Sequence, residues 1–508
     1  MATDQILLAN PNARFPRRKE IIMRVQVFRT TLKVALGLVL LYLFYLAFVG
    51  IRANSLLNDA KETYNAFQKN ELDNSVQRKY LSLLPRIKFL REQLDNPLIK
   101  PLISISGRGD QLAEVKILYD DVEDLLPALP DLLGASRPQR YLVAFQNSAE
   151  ARGTGGIIGA FAILRIHRGQ IEIERVGSNY LLKSQSVIPI KMPSEYYTIY
   201  RQDPAIWQNS NMSPHFPYGA RIWLALWHDQ FDDDLDGVIA LDPIVLSHIL
   251  KVTGPIRASG QEITSENVVQ ESLSESYLRY ESDNLARKIY LVTIIKKVAR
   301  AALDEKTDRV ALVRSLITPI QENRILLYNR DRALQVQIRR SRPGGVLSPT
   351  PSKEFRAVIQ NTAGNKMDYY LERRLTIRAL TCSQRPKTEV RFTVTNTARR
   401  DTYLPAYVKG RLDLGLPGGK ENSTAIAAFL YGPPGARLVS AKDEGKTSAI
   451  GFVKVERGRQ ALTVPLDLGP LESRTIVAIF RGGKGPVSTH LQPLVRPQTT
   501  IIEDKCAS

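Results

Sequence analysis

RYLVAFQNSAEARGTGGIIGAFAILRIHRGQIEIERV, residues Arg140–Val176, sets the architecture. The apolar run YLVAFQ breaks at a glycine-rich turn, resumes as AFAILRIHRGQIEIERV and turns again at His167–Gly169. β-Branched and aromatic residues bounded by such turns read as paired strands. Downstream, PHFPYGARIWLALWHDQF (Pro214–Phe231) reads as a helix and DGVIALD (Asp236–Asp242) as a buried strand. PIVLSHILKVTG (Pro243–Gly254) is a helix ending on glycine. Helices continue from Glu266 to about Asp304, and ILLYNRDRALQVQI (Ile325–Ile338) supplies a last strand and a short helix. Strands alternating with helices predict an α/β domain over 137–340.

Outward on the C-terminal side, SRPGGVLSPTPSKE marks a linker at 341–353 by its Pro, Gly and Ser content. Beyond it RLTIRALT, EVRFTVTNTA, TAIAAFLY, GFVKVERG, ALTVPLDL and RTIVAIFR are short β-rich segments without helical pattern between them, predicting a β-sandwich over 354–508. Cys382 and Cys506 either pair, stapling the C-terminal tail to a strand, or remain free thiols.

Outward on the N-terminal side, residues 52–136 carry amphipathic 3–4 spacing (Leu57, Ala60, Tyr64, Phe67) broken by Pro85, Pro97, Pro101 and Pro127, the pattern of a helical stalk. Before it stands VALGLVLLYLFYLAFVGI (Val34–Ile51), without a charge and about long enough to cross ~30 Å of hydrocarbon. Arg14, Arg17, Arg18, Lys19, Arg24, Arg29 and Lys33 precede it against Asp4 and Glu20. The expectation is a single-pass cell-membrane protein with residues 1–33 cytoplasmic and the bulk extracytoplasmic. A formal net charge of +19 over 508 residues suits a solvated basic surface or attraction to anionic wall polymer or lipid phosphate, and that topology sets nucleic acid aside.

The densest polar cluster is QNSAEARGTGG, directly after a strand. Gly155 and Gly156 let the backbone turn tightly and expose N–H groups, Arg152 offers a planar fork to a phosphate or carboxylate, and Gln146, Asn147 and Glu150 could orient it. A turn whose polar residues cap one another is the alternative. Ile158 occupies the third-glycine position of the dinucleotide fingerprint, and no Lys-Ser/Thr pair follows to make a phosphate loop. A second cluster sets Arg279, Asp283 and Arg287 at i, i+4 and i+8 on one helical face: an ion-pair ladder, or two cations for a pyrophosphate. FDDDLDGVIALDP imitates a calcium loop at Asp232, Asp234, Asp236 and Gly237, but Pro243 stands where the closing Glu belongs. The chain has no His-Glu-x-x-His, G-x-S-x-G or Cys-x-x-Cys, so zinc proteolysis, elbow-type serine hydrolysis and thiol redox chemistry lack their usual signals.

QNSAEARGTGGIIGAFAILRIHRGQIE, NMSPHFPYGARIW, DGVIALDPIVLSHILKVTGPI, the Arg279–Arg287 segment and NTAGNKMDYYLERRLTIR (Asn361–Arg378) together resemble a family of membrane-anchored bacterial proteins, domain-of-unknown-function family number four thousand and twelve. More distantly, the middle domain is similar to the LytR-CpsA-Psr phosphotransferases, which move glycopolymers from polyprenyl-pyrophosphate carriers to the cell wall. The resemblance implies an α/β domain of that type and a phosphate site with an Arg-x-x-x-Asp-x-x-x-Arg row. Two departures stand out. Ile157, Ile158 and Gly159 occupy the place of the family's Arg-Ser-Asp motif, and VGSNYLL replaces its second arginine motif. The polar turn and the two-arginine helix, read beside the resemblance, lead to the expectation that the α/β domain binds a polyprenyl-phosphate-linked or other anionic glycan in the cell envelope, with Arg152, Arg279 and Arg287 on the phosphate. Two further readings stay open: a glycopolymer transferase, for which magnesium would be the metal, and a scaffold holding envelope proteins without a ligand.

Overall fold

The computed structural model describes residues 52–65 without 57 and 64, 73–100 without 98, and 119–506 without 351, 420 and 445–450, together with positions 49, 113 and 116. The chain separates into two compact units, Met1–Lys69 with Arg78–Lys116, and Asn70–Gln77 with Ile117–Ser508. The first is mostly helical where described. Arg86 Nη1 pairs with Asp59 Oδ2 at 2.6 Å, Lys116 Nζ with Asp95 Oδ1 at 2.6 Å, and Lys79 with Glu62.

The expected membrane placement is corrected here: among the described residues no helix is long and apolar enough to cross a membrane. The long helices fail on charge. Asn74–Leu94 contains Arg78, Lys79, Arg86, Lys88, Arg91 and Glu92, and Asn284–Leu303 contains Arg287, Lys288, Lys296, Lys297 and Arg300. The tail 1–33 and, apart from position 49, the run 34–51 lie outside the described residues. A single-pass anchor, and the extracytoplasmic placement that depended on it, are not supported.

The second unit is mixed α/β with several sheets. Strands β1 (Gln139–Arg152), β2 (Gly155–His167), β3 (Gln170–Ser178) and β4 (Gly237–Leu241) precede a small hairpin of β5 (Ile256–Ala258) and β6 (Gln261–Ile263); β7 is Leu326–Asn329. The first sheet has the order β3-β2-β1-β4-β7, with β4 parallel to β1 and the other pairs antiparallel. Alternation along the strands divides the core. Ala144, Ile158 and Phe161 face Trp223 and Trp227 of the helix Phe216–Phe231, while Phe145 and Ala160 face the helices Pro243–Thr253 and Asn284–Leu303.

Ten further strands follow: β8 (Lys353–Asn361), β9 (Leu371–Ala379), β10 (Lys387–Asn396), β11 (Thr424–Tyr431), β12 (Arg437–Glu444), β13 (Phe452–Glu456), β14 (Arg459–Leu468), β15 (Ser473–Arg481), β16 (Val487–Thr489) and β17 (Thr499–Glu503). They make two sheets, β12-β15-β10-β9-β17 and β13-β14-β11-β8-β16. Phe355, Ile359, Leu430 and Val464 from one meet Ile377, Phe392, Ile476 and Phe480 from the other in one core, the arrangement of a β-sandwich. β17 runs parallel to β9, and the Cys382–Cys506 disulfide fastens the chain just beyond it.

The two parts of this unit are joined through β1. Its register against β2 slips between Asn147, opposite Ile157, and Ala151, opposite Gly156, so Ser148–Glu150 bulge out. Past the bulge, Ala151 lies in the sandwich core and its N–H donates to Asp368 Oδ2 at 2.7 Å. Gln492 Nε2 donates to the Arg152 carbonyl at 2.7 Å. The turn permits this because a Cβ on Gly156 would lie 1.9 Å from the Asn147 carbonyl oxygen, whereas one on Gly159 would meet nothing nearer than 3.5 Å.

Gly156→Ala should therefore lower stability by at least about 2 kcal/mol, and Gly159→Ala should change it by much less, as read from urea midpoints; equal effects would mean the hairpin neck is not sterically tight. Reducing the disulfide, which closes a separation of 124 residues, should cost about 3–5 kcal/mol. The loss should register first as hydrogen exchange in β17.

Candidate functional site

The polar stretch after β1 splits into two groups with different duties. Gln146 Oε1 accepts from Asn211 Nδ2 at 2.9 Å, Thr154 Oγ1 at 3.1 Å and the Gly156 N–H at 3.3 Å, so the side chain closes its own hairpin. Arg152 is equally committed. Its guanidinium donates to Asn209 Oδ1 at 2.8 and 3.0 Å, to the carbonyls of Ala151 at 2.8 Å and Asn361 at 3.2 Å, and to Glu150 Oε1 at 3.2 Å. Gly155, at φ +139°, opens β2 directly after the turn. Gln146, Arg152, Gly155 and Gly156 thus build the arm that enters the sandwich.

Asn147 and Glu150 point into a different environment. Glu150 is buried and bonded to Lys366 as well as Arg152. Burial pushes its carboxyl up, and the two cations more than offset that, leaving it below its ordinary value. Lys366 is the mirror case: burial lowers the amine, Glu150 overrides it, and the group is held firmly charged. Asn147 Nδ2 donates to the Tyr277 hydroxyl at 2.8 Å, and the Tyr277 ring carries the Arg287 guanidinium 4.2 Å from its centroid. Tyr407 lies stacked on Tyr277 at 5.7 Å, with Arg287 at 5.1 Å and Lys366 at 5.4 Å from its own ring centre. The segment around Arg287 and the segment around Glu150 therefore meet.

Lys288 completes the cluster. Its Nζ donates to Asn179 Oδ1 at 2.6 Å and sits 5.0 Å from the Tyr180 ring centre; Asn179 is itself held by the Ile158 carbonyl at 3.1 Å. Burial first, then Arg287 and Lys366, push the Lys288 amine down from 10.5 to about 7. Of four buried basic side chains, Arg152 and Lys366 share the ionised Glu150 carboxylate, while Arg287 donates to Asn284 Oδ1 at 3.1 Å and Lys288 to Asn179, and neither has a carboxylate partner among the described residues. Neighbouring Asp368 does not restore the balance, because burial lifts it to about 7 despite the Ala151 N–H and the Asn361 amide.

The expected continuous row of Arg279, Asp283 and Arg287 does not form. The helix Ser276–Arg279 stops, Asp283 caps the next helix by accepting from the Ala286 N–H at 2.8 Å, and the turn between them breaks the common face. Arg279 is engaged by Glu271 at 2.6 and 3.0 Å and lies over Tyr290. Of the row, only Arg287 reaches the cluster. The calcium-like loop is likewise consumed by arginines: Asp233 by Arg140, Asp234 by Arg330 and Asp236 by Arg137.

Lys288, Lys366, Asn179 and Tyr407 were not singled out from the sequence. The signals for three of them were present: Lys288 follows Arg287, Lys366 lies in NTAGNKMDYY, and Asn179 lies in VGSNYLL. The donor set does not suit magnesium. Glu150 is taken by Lys366 and Arg152, and among the described residues no group of three or more His, Cys, Asp or Glu side chains could hold a metal ion.

Fold and site together define a mixed α/β protein with a β-sandwich and a cation-rich cluster where the two meet. Residues 136–277 match the family described as "Protein of unknown function (DUF4012)". Protein gbs0355 from Streptococcus agalactiae, known from a crystal structure, is 14% identical, with 41% of this chain and 74% of that chain covered and a TM-score of 0.24, too slight a likeness to carry an argument. No curated protein matches.

The buried lysine makes a stability prediction. Above its ordinary value the amine is neutral folded or unfolded and burial carries no charge penalty; below about 7 it is charged in both and the penalty is complete. Between those limits the unfolded chain binds more protons, so stability rises with pH. Lys288→Met should flatten the rise between pH 7 and 10 in urea titrations and gain most stability near pH 7. An unchanged slope would place the amine in water.

Proposed function

We propose that this protein binds a phosphate-bearing glycan, with the phosphate held by Arg287, Lys288 and Lys366. The observation that carries the reading is the charge imbalance described above. Arg287 and Lys288 have amide and aromatic partners but no carboxylate among the described residues, and an anion placed beside them would supply the opposite charge and favour the protonated form of Lys288. Arg287 brings a planar donor array suited to phosphate oxygens, and the two amines bring point charges.

A crevice beside the cluster supports a ligand with an apolar part. It has a volume of about 50 Å³ and is lined by Asn147 with Phe145, Leu246, Leu273, Leu291, Ile294 and Ile295. A crevice of that size takes only a small apolar group of the ligand, so a polyprenyl chain on a phosphate-linked glycan would lie mostly outside it. The element order of the first sheet and its helices, read with the sequence resemblance, supports a LytR-CpsA-Psr-type domain. Binding is favoured over transfer, because the nearby carboxylate is already committed to cations rather than presented to a metal.

Each charged hydrogen bond to phosphate contributes about 1.5–3 kcal/mol, or roughly ten- to a hundredfold in affinity. The double substitution Arg287→Gln with Lys288→Met should weaken pyrophosphate binding at least about tenfold by calorimetry, and Arg279→Ala should leave it within about twofold. Equal loss in both variants, or none in either, would remove the assignment.

A further inference from the structure

We propose that Tyr180, Tyr403 and Tyr407 form a stacking platform for a saccharide ring at the mouth of the cation cluster. This rests on the phosphate-site reading for its anchor but on separate observations for its surface. Among the described residues the exposed large aromatics are Tyr180 at 56%, Tyr403 at 67%, Tyr407 at 46% and Phe452 at 53%. Three of these four belong to the segments surrounding Arg287, Lys288 and Lys366, a concentration that a scatter of surface aromatics does not explain.

Each ring is held in place although it faces water. The Tyr180 hydroxyl accepts from the Asn284 amide, and its backbone N–H is capped by Ser178 Oγ at 3.3 Å. Tyr403 donates to the Glu281 carboxylate, 2.7 and 2.8 Å from its two oxygens. Tyr407 is stacked on Tyr277. Side chains fixed before binding lose little entropy on binding, which is the property of a recognition surface rather than of solvated tyrosines. Cations already lie at these rings, Lys288 by Tyr180 and Arg287 with Lys366 by Tyr407, while both residues keep about half of their surface exposed.

The chemistry of the rim selects among ring-shaped partners. A pyranose offers a face of C–H groups to the aromatic face and hydroxyls at its edge. Glu281, which accepts from Tyr403, and Asp283, which caps the helix through Ala286, are both exposed and keep lone pairs for hydroxyl donors. A sugar 1-phosphate would place its phosphate on Arg287, Lys288 and Lys366 and its ring over the tyrosines.

The experiment is calorimetry on the full chain with N-acetylglucosamine 1-phosphate, inorganic phosphate, uridine monophosphate and neutral chitobiose, comparing the unaltered protein with Tyr180→Leu plus Tyr407→Leu, and with Tyr403→Leu alone. The expected result is a sugar phosphate bound at least tenfold more tightly than inorganic phosphate or uridine monophosphate. That advantage should shrink to within about threefold in the double variant, and Tyr403→Leu, whose ring is bonded to Glu281 rather than to a cation of the cluster, should reduce it while inorganic phosphate binds unchanged. The proposal is overturned by a sugar phosphate no better than inorganic phosphate, by an advantage surviving in both variants, by preference for the nucleotide, or by binding of no saccharide at all. Chitobiose bound in a tyrosine-dependent way without any phosphate binding would support the platform and sink only the anion reading.

Discussion

The Glu150 carboxylate, shared by Lys366 and Arg152, is the interaction on which the rest depends. Glu150 sits on the bulge of β1, Arg152 two residues farther along the same strand, and Lys366 between β8 and β9 of the sandwich. A buried ion pair adds little net stability over an apolar replacement, yet removing one partner strands a charge in low dielectric. The junction is therefore specified more than it is strengthened: the α/β sheet and the sandwich meet in the one arrangement that keeps all three charges paired. Arg152 extends the constraint to Asn209 and Asn361.

The cation cluster follows from that junction. The Lys366 amine is drawn to Glu150, which sets it beside Tyr407; Tyr407 stacks on Tyr277; and Tyr277 receives both the Asn147 amide and the Arg287 guanidinium. Lys288 then lies beside two cations with only Asn179 and the Tyr180 ring described as its neighbours for hydrogen bonding and ring contact. The site is assembled from β1, the turn after β3, the helix Asn284–Leu303 and two sandwich loops, and none of these segments holds it alone. Spread over such distances, the arrangement resists reading by motif.

Legibility differed between fold and site for a physical reason. DGVIALD followed by PIVLSHILKVTG could be read as strand and helix because burial imposes the strand's apolar run, and Asp242 caps the helix through the Ile244 and Val245 N–H groups. The alternation of β9 was equally visible because one face is packed and the other solvated. Arg152 looked available to a ligand, but what occupies it is Asn209, a partner that local sequence does not place. The Arg279–Arg287 row kept helical spacing on paper, while the turn at residues 280–283 and the Asp283 cap broke the face.

By itself the sequence determined the elements: which runs become strands, where helices start and stop, and where the α/β pattern gives way to β-rich repeats. Those properties arise from local periodicity, turn residues and capping, which act over a few positions. Tertiary structure alone decided that Glu150 meets Lys366 across 216 residues and that Asn147 meets Tyr277 across 130. It also decided that Lys288, an ordinary helix lysine in the sequence, is buried among cations. Electrostatic environment is a property of what surrounds a group in space, and the surroundings of this site come from segments the chain order keeps far apart.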